Sequence, residues 1–226
     1  MGIENSAHKE ILDLLAVGPH IYQPLYNYPY DVPKPLRGCE DRCKAVATAL
    51  GQLNGLNILD IGCSFGYNSL YFAERGARVT GIDFSERNIK ICQGIQEHTN
   101  GDIAFHMAKF DFQYIVAIQP GAVDVVFIFN VLHHVMEQEG LEAVQGMMAN
   151  LVANVSEIYV ELALANENPI DKYQVCFTQS LPENELDFFA TCVDVTIDLI
   201  GYFPSHVSEI LRPIYRVKSN RSTLTE

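Results

Sequence analysis

Two carboxylates and two glycines carry the most legible chemistry in this chain. Asp60, Gly62 and Gly66 lie in the run Asn57-Ile58-Leu59-Asp60-Ile61-Gly62-Cys63-Ser64-Phe65-Gly66-Tyr67-Asn68, and Asp83 ends the run Ala77-Arg78-Val79-Thr80-Gly81-Ile82-Asp83. Glycines so spaced let a backbone turn approach a ligand closely. An acid roughly twenty residues past such a turn can accept hydrogen bonds from both hydroxyls of a ribose. These residues predict an adenosine site. Asp60 narrows it, because a carboxylate pointing into the turn repels a pyrophosphate and favours a cationic group.

Holding these residues in place takes a strand, a turn, a helix and a second strand. Residues 56–61 are apolar enough for a parallel strand buried on both faces. A helix is predicted from Tyr67 to Arg75, with Gly76 as a left-handed cap, and the second strand over 77–83. Ser85 is a plausible N-cap for a helix reaching His98, a third strand covers 103–108, and a short helix is expected near Asp111. A fourth strand over 123–129, a helix over 139–153 and a fifth strand over 156–163 keep the alternation going. Pro182-Glu183-Asn184-Glu185 is read as opening a further helix. Strands over 195–200 and 210–218 then close the chain, joined by a loop containing Gly201 and Pro204.

The whole-chain numbers fit one globular domain of 226 residues, with residues 1–54 as a helical cap or lid. Hydrophobic residues make up 48% of the chain, enough for a sizeable core. A formal charge of -13 argues against long nucleic acids and anionic membrane surfaces. With no apolar run of spanning length and a polar start, Gly2-Ile3-Glu4-Asn5-Ser6, a cytoplasmic location is expected. The six cysteines, Cys39, Cys43, Cys63, Cys92, Cys176 and Cys192, lack the density of a disulfide scaffold. Cys39 and Cys43 are one helical turn apart, but no second ligand pair accompanies them, so no metal is expected.

The spacing Asp60-x-Gly62-x-Ser64-x-Gly66 resembles motif I of the class I S-adenosylmethionine (SAM)-dependent methyltransferases, with Asp83 in place of their ribose-binding acid. Ser64 departs from the pattern, since many members have glycine there. The resemblance implies a Rossmann-like α/β fold: a seven-stranded, mostly parallel sheet with an antiparallel last strand and helices on both faces. It also implies SAM as cofactor, S-adenosylhomocysteine (SAH) as product, and Gly62, Cys63, Gly66, Asp83 and Phe84 around them.

Ligands of open parallel sheets bind at the carboxyl ends of the strands. By the family pattern Phe110 packs on adenine and Asp111 accepts its exocyclic amine, although a helix cap explains Asp111 equally well. Asn130 falls beside the methionine part of SAM. One of His133 and His134 can face an acceptor, with a structural role as the plainer reading for either. Glu161, inside an apolar strand, needs a partner or a task.

A finer resemblance rests on Ile21-Tyr22-Gln23, residues 39–42, the two acid-bearing runs, His133-His134, Glu161-Leu162-Ala163 and Arg212-Pro213-Ile214-Tyr215. In order and spacing these are similar to the methyltransferase domain of bifunctional methyltransferase-kinase enzymes that terminate O-antigen chains. It implies a lid in which Tyr22 and Gln23 cover SAM and Arg42 pairs its carboxylate. A packed aromatic tail is the plainer reading of that segment. Those relatives methylate a phosphate attached by their kinase domain, and a chain ending at Glu226 is expected to have no room for a kinase. Arg212 fits phosphate recognition, since guanidinium groups bind phosphate oxygens in a fork, and a rim salt bridge explains it too.

The reading is methyl transfer from SAM to an oxygen of a small or saccharide-linked acceptor, with phosphate as one candidate. A hydroxyl or amine acceptor would need His133, His134 or Glu161 as base. A silent SAM-binding protein remains open. A nicotinamide oxidoreductase is disfavoured by Asp60 and by the missing Gly-x-Gly-x-x-Gly fingerprint.

Overall fold

A computed structural model describes residues 2–18, 20–163, 185–205 and 211–220. The chain divides into two compact units, residues 1–109 and 110–226.

The first unit contains α1 (Gly2–Ala16), α2 (Glu40–Leu50), β1 (Asn57–Ile61), α3 (Tyr67–Ala73), β2 (Arg78–Asp83), α4 (Glu86–Gln96) and β3 (Asp102–Met107). β1 and β2 pair in parallel from Asn57↔Arg78 to Ile61↔Ile82, and β2 and β3 from Arg78↔Asp102 to Asp83↔Met107. Residues 58–61 of β1 are all buried, as expected of an apolar run inside a parallel sheet. Ser85 does cap α4, its Oγ accepting from Asn88 N at 3.3 Å. Ile89, Cys92 and Ile95, at helical spacing, form the buried stripe of that helix.

Between α1 and α2 the chain runs as an irregular strap, closed on itself where Leu36 N donates to Ile21 O at 2.8 Å. Tyr26 fastens the strap to the end of α3, donating to Glu74 and accepting from Arg75 Nη1 at 3.0 Å. On the other side, Arg87 of α4 donates to Leu14 O at 2.6 Å and Leu15 O at 3.2 Å, which satisfies carbonyls of the last turn of α1.

In the second unit are α5 (Phe112–Val116), β4 (Val125–Phe129), α6 (Leu132–Glu139), α7 (Leu141–Asn154), β5 (Glu157–Glu161), a 3₁₀ turn (Glu185–Phe189), β6 (Val195–Phe203) and β7 (Arg212–Ser219). β4 is buried throughout and pairs in parallel with β5 from Val125↔Glu157 to Phe129↔Glu161. α7 buries Val144, Met147, Met148, Leu151 and Val152, a stripe of three- and four-residue steps. β7 runs antiparallel to both β5 and β6. The strand order is β3-β2-β1-β4-β5-β7-β6, a mixed seven-stranded sheet.

Three local expectations need correction. His133 and His134 lie in a separate helix, α6, rather than in a post-strand turn; Gly140, at φ 86°, ends it and lets α7 start on a new course. Gly201 belongs to β6, where a register shift between Leu199 and Gly201 absorbs it as a bulge. The helix expected from Pro182 is a 3₁₀ turn over Glu185–Phe189 within the described residues, and Pro182, Glu183 and Asn184 lie outside them, as do Cys176 and Ile210.

Candidate functional site

In the first unit Gln23 and Asp83 are bonded directly to the glycine turn. Gly62, Ser64 and Gly66 all have positive φ, at 69°, 53° and 73°. Gly66 has a second constraint, since a Cβ there would lie 2.8 Å from Phe105 Cζ. The turn is pinned from three sides. Cys63 N donates to Ile82 O at 2.9 Å, Ser64 N to Asp83 Oδ2 at 2.9 Å, and Cys92 Sγ to Ser64 O at 3.1 Å. Ser64, in the left-handed region without being glycine, is held there by bonds through its own N–H and carbonyl.

Asp60 is 1% exposed and accepts from Ser69 Oγ at 2.5 Å. Burial pushes its pKa up to about 6; the Ser69 hydroxyl and N–H oppose the shift and the neighbouring Asp83 adds to it. A carboxylate under that strain is stabilised by a nearby cation, which suits the sulfonium and ammonium groups of SAM. Asp83 is also held above the ordinary carboxylate range by burial, against hydrogen bonds from Ser85 N, Ser64 N and Asn88. The donor set around the turn therefore fits SAM.

The strap brings Gln23 to this turn: its Nε2 donates to Cys63 O at 3.1 Å while Cys39 Sγ donates to its Oε1 at 3.8 Å. Arg42 is buried on α2, and Tyr22 accepts from Arg37 Nη1 at 2.7 Å. Phe84 is not packed into the unit, with 79% of its surface exposed. The Cys63 thiol is held well up by its hydrogen bond with Cys92 and by burial, which leaves it a poor nucleophile.

In the second unit Phe110 is buried and Asp111 caps α5, its Oδ1 accepting from Tyr114 N at 2.9 Å. Asn130, directly after β4, adopts φ 61° and accepts from Arg212 Nη1. The histidines separate as neighbours on a helix must: His133 is buried, His134 is exposed, and their ring centroids are 4.1 Å apart. Desolvation of the ring pushes the His134 pKa down, Glu137 opposes the shift and Arg212 adds to it. Glu161, at the end of β5, is fully buried.

Among the described residues, the buried polar or charged side chains are Gln23, Arg37, Arg42, Asn68, Asp60, Ser69, Asp83, His133, Glu161 and Arg212. Only Arg37, Asn68 and Ser69 were not anticipated. Ser69 holds Asp60, Asn68 accepts from Cys43 Sγ at 3.1 Å, and Arg37 holds Tyr22. For Ser69 a signal existed: it lies within the first turn of α3, the helix that follows the glycine turn.

Residues 58–154 match a family model described as a methyltransferase domain. The chain is 28% identical over 225 residues to the O-antigen chain terminator bifunctional methyltransferase/kinase WbdD of Escherichia coli, an alignment covering 96% of this chain and 30% of that protein. A solved structure of the bifunctional kinase-methyltransferase WbdD superposes with a TM-score of 0.79 at 28% identity, over 95% of this chain and 47% of that one. The chain thus spans less than half the length of these relatives. The ubiquinone biosynthesis O-methyltransferase of Leptothrix cholodnii is 30% identical over 57% of this chain and 52% of its own. Magnesium protoporphyrin IX methyltransferase from Synechocystis, solved with bound SAM, shares the fold at a TM-score of 0.58 and 20% identity, covering 79% of this chain and 77% of its own. No helix among the described residues is long and apolar enough to cross a membrane. Over residues 58–154 the chain thus matches a methyltransferase domain family, and its seven-stranded sheet has the fold of the solved methyltransferases it superposes on.

Proposed function

We propose that this domain transfers a methyl group to an oxygen of a small or saccharide-linked acceptor, and that this oxygen belongs to a phosphate. The observation that carries the acceptor reading is Arg212, a guanidinium with 1% of its surface exposed, tied to Asn130 at the end of β4. A buried guanidinium in a chain of net charge -13 suits an anionic group better than a neutral one. Similarity to an O-antigen chain terminator supports a saccharide-linked anion. A cytoplasmic location is in keeping with the acidic composition.

When bound, SAM supplies a methyl group already activated on a sulfonium. In this proposal Asp60 faces its cationic end, Arg42 its carboxylate and Asp83 its ribose. Phe84 is a further cofactor contact, Phe110 packs on the adenine, Asp111 accepts its exocyclic amine, and Asn130 lies against the methionine portion. Gly62, Cys63 and Gly66 supply the close backbone approach, and Tyr22 and Gln23 act as a lid that excludes water. Residues 1–54 are then the cap of a single domain. With a phosphate acceptor the chain has only to align an anion and neutralise its charge, so no proton transfer is needed. Arg212 fills that role, with His133, His134 and Glu161 shaping the acceptor side.

A second reading has one observation in its favour. Desolvation lowers the His134 pKa, which favours the proton-accepting form that a general base for a hydroxyl acceptor needs. Labelled SAM offered with a panel of sugar phosphates and the matching unphosphorylated sugars separates the two. Phosphate methylation predicts label only on the phosphorylated members, loss of turnover in Arg212→Ala and retained turnover in His134→Ala. Label confined to unphosphorylated sugars, with loss in His134→Ala, overturns the phosphate reading.

A further inference from the structure

A carboxylate offers about four acceptor positions on its two oxygens. Asp83 fills three within the chain: Ser64 N reaches Oδ2 at 2.9 Å, and Ser85 N and Asn88 Nδ2 reach Oδ1 at 2.9 and 3.2 Å. A ribose presents two hydroxyl donors, so a carboxylate so engaged is one position short. With 6% of its surface exposed, Asp83 has little access to water to make up the difference.

The three donors differ in how easily they leave. Ser64 N and Ser85 N are backbone groups, fixed by the glycine turn and by the turn from β2 into α4. Asn88 is a side chain on α4, its bond is the longest of the three, and its backbone N–H is separately committed to Ser85 Oγ. Rotation about its side-chain torsions frees Asp83 Oδ1 without disturbing the helix cap.

On the reading of Asp83 as the ribose acid, we propose that Asn88 is the exchangeable partner of Asp83, a positioning residue that gives up Oδ1 to a ribose hydroxyl and so sets affinity for the nucleoside part of the cofactor. The amide of Asn88 holds the carboxylate oriented until the hydroxyl replaces it. Each bound ribose therefore costs the chain one internal hydrogen bond. Burial of Asp83 makes the exchange one for one, because an unreplaced donor would leave the carboxylate short of partners.

Calorimetric titration with SAH tests this in wild type, Asn88→Ala, Asn88→Leu and Asp83→Ala. Both Asn88 variants are expected to bind SAH about three- to tenfold more tightly, the size of one net hydrogen bond, while unliganded protein melts at a lower temperature. In wild type, the 2′-deoxy or 3′-deoxy analogue of SAH lacks the hydroxyl that competes with Asn88, so its penalty is smaller than in Asn88→Ala. A merely structural Asn88 would lose stability and affinity together. Unchanged or weaker SAH binding in both Asn88 variants, with binding abolished in Asp83→Ala, overturns the exchange and leaves the ribose reading intact. Full SAH affinity in Asp83→Ala overturns the ribose reading and the exchange together.

Discussion

Arg212 donates a hydrogen bond to Asn130 Oδ1, which joins the first residue of β7 to the residue that follows β4. Asn130 sits at φ 61°, where asparagine is tolerated and most side chains are strained, and Arg212 is buried to 1% exposure. Asn130→Ala therefore incurs two costs, a left-handed backbone without the asparagine side chain and the loss of the charged hydrogen bond from Arg212. Together these are about 2–3 kcal/mol of stability. Asn130→Gly removes the backbone cost and is expected to lose about 1 kcal/mol less. Denaturant unfolding of the two variants reads the difference, and equal losses would refute the backbone part.

Asp60 gives a pH dependence with a definite sign. Its folded pKa, about 6, lies above the ordinary carboxylate value of 3.8. The folded chain thus holds an extra proton between about pH 4 and 6, and the stabilising contribution of this group is present in acid and lost as pH rises through that window. Asp60→Asn should flatten that part of the stability curve. Cofactor affinity should run the other way, because the charged carboxylate is the form that favours a cation: SAH binding weakens as pH falls below about 6, and less so in Asp60→Asn. Melting curves and SAH titrations between pH 5 and 8 check both slopes, and parallel curves for the two proteins would contradict the assignment.

Tyr26 predicts how firmly the strap is held. Its hydroxyl links Glu74 and Arg75, and the Arg75 guanidinium lies 3.5 Å from the centroid of the Tyr71 ring. Tyr26→Phe keeps the packing and removes both hydrogen bonds, at a cost of about 1–2 kcal/mol. Hydrogen exchange across residues 20–37 should accelerate in this variant while β1 and β2 remain protected. Uniform acceleration would mean that the strap and the strands open as one unit.

Gly66 is required for two separable reasons, its φ of 73° and the 2.8 Å that would separate a Cβ from Phe105 Cζ. Gly66→Ala is expected to lose about 2–4 kcal/mol and to bind SAH poorly. Adding Phe105→Leu should restore the steric part and leave the backbone part. Complete rescue by the second substitution would show that φ at this position costs nothing.

Sequence determined this domain wherever the controlling interactions are local. The buried run of β1, the glycine turn, the acid at the end of β2 and the Ser85 cap on α4 all follow from residue types within about thirty positions, since strand burial, turn conformation and capping depend on near neighbours. The reversed β7 was also legible, through its likeness to the closing strand of one family. Only tertiary structure decided that His133 and His134 stand on a helix of their own, because one glycine at 140 splits what local pattern reads as a strand end followed by a single helix. It also decided that Ser69 holds Asp60, that Arg37 holds Tyr22 and that Asn88 spends its amide on Asp83. Asn88 is five residues from Asp83, but the side-chain torsion that joins them is chosen by burial, and burial is set by the whole sheet and its helices rather than by neighbours in the chain.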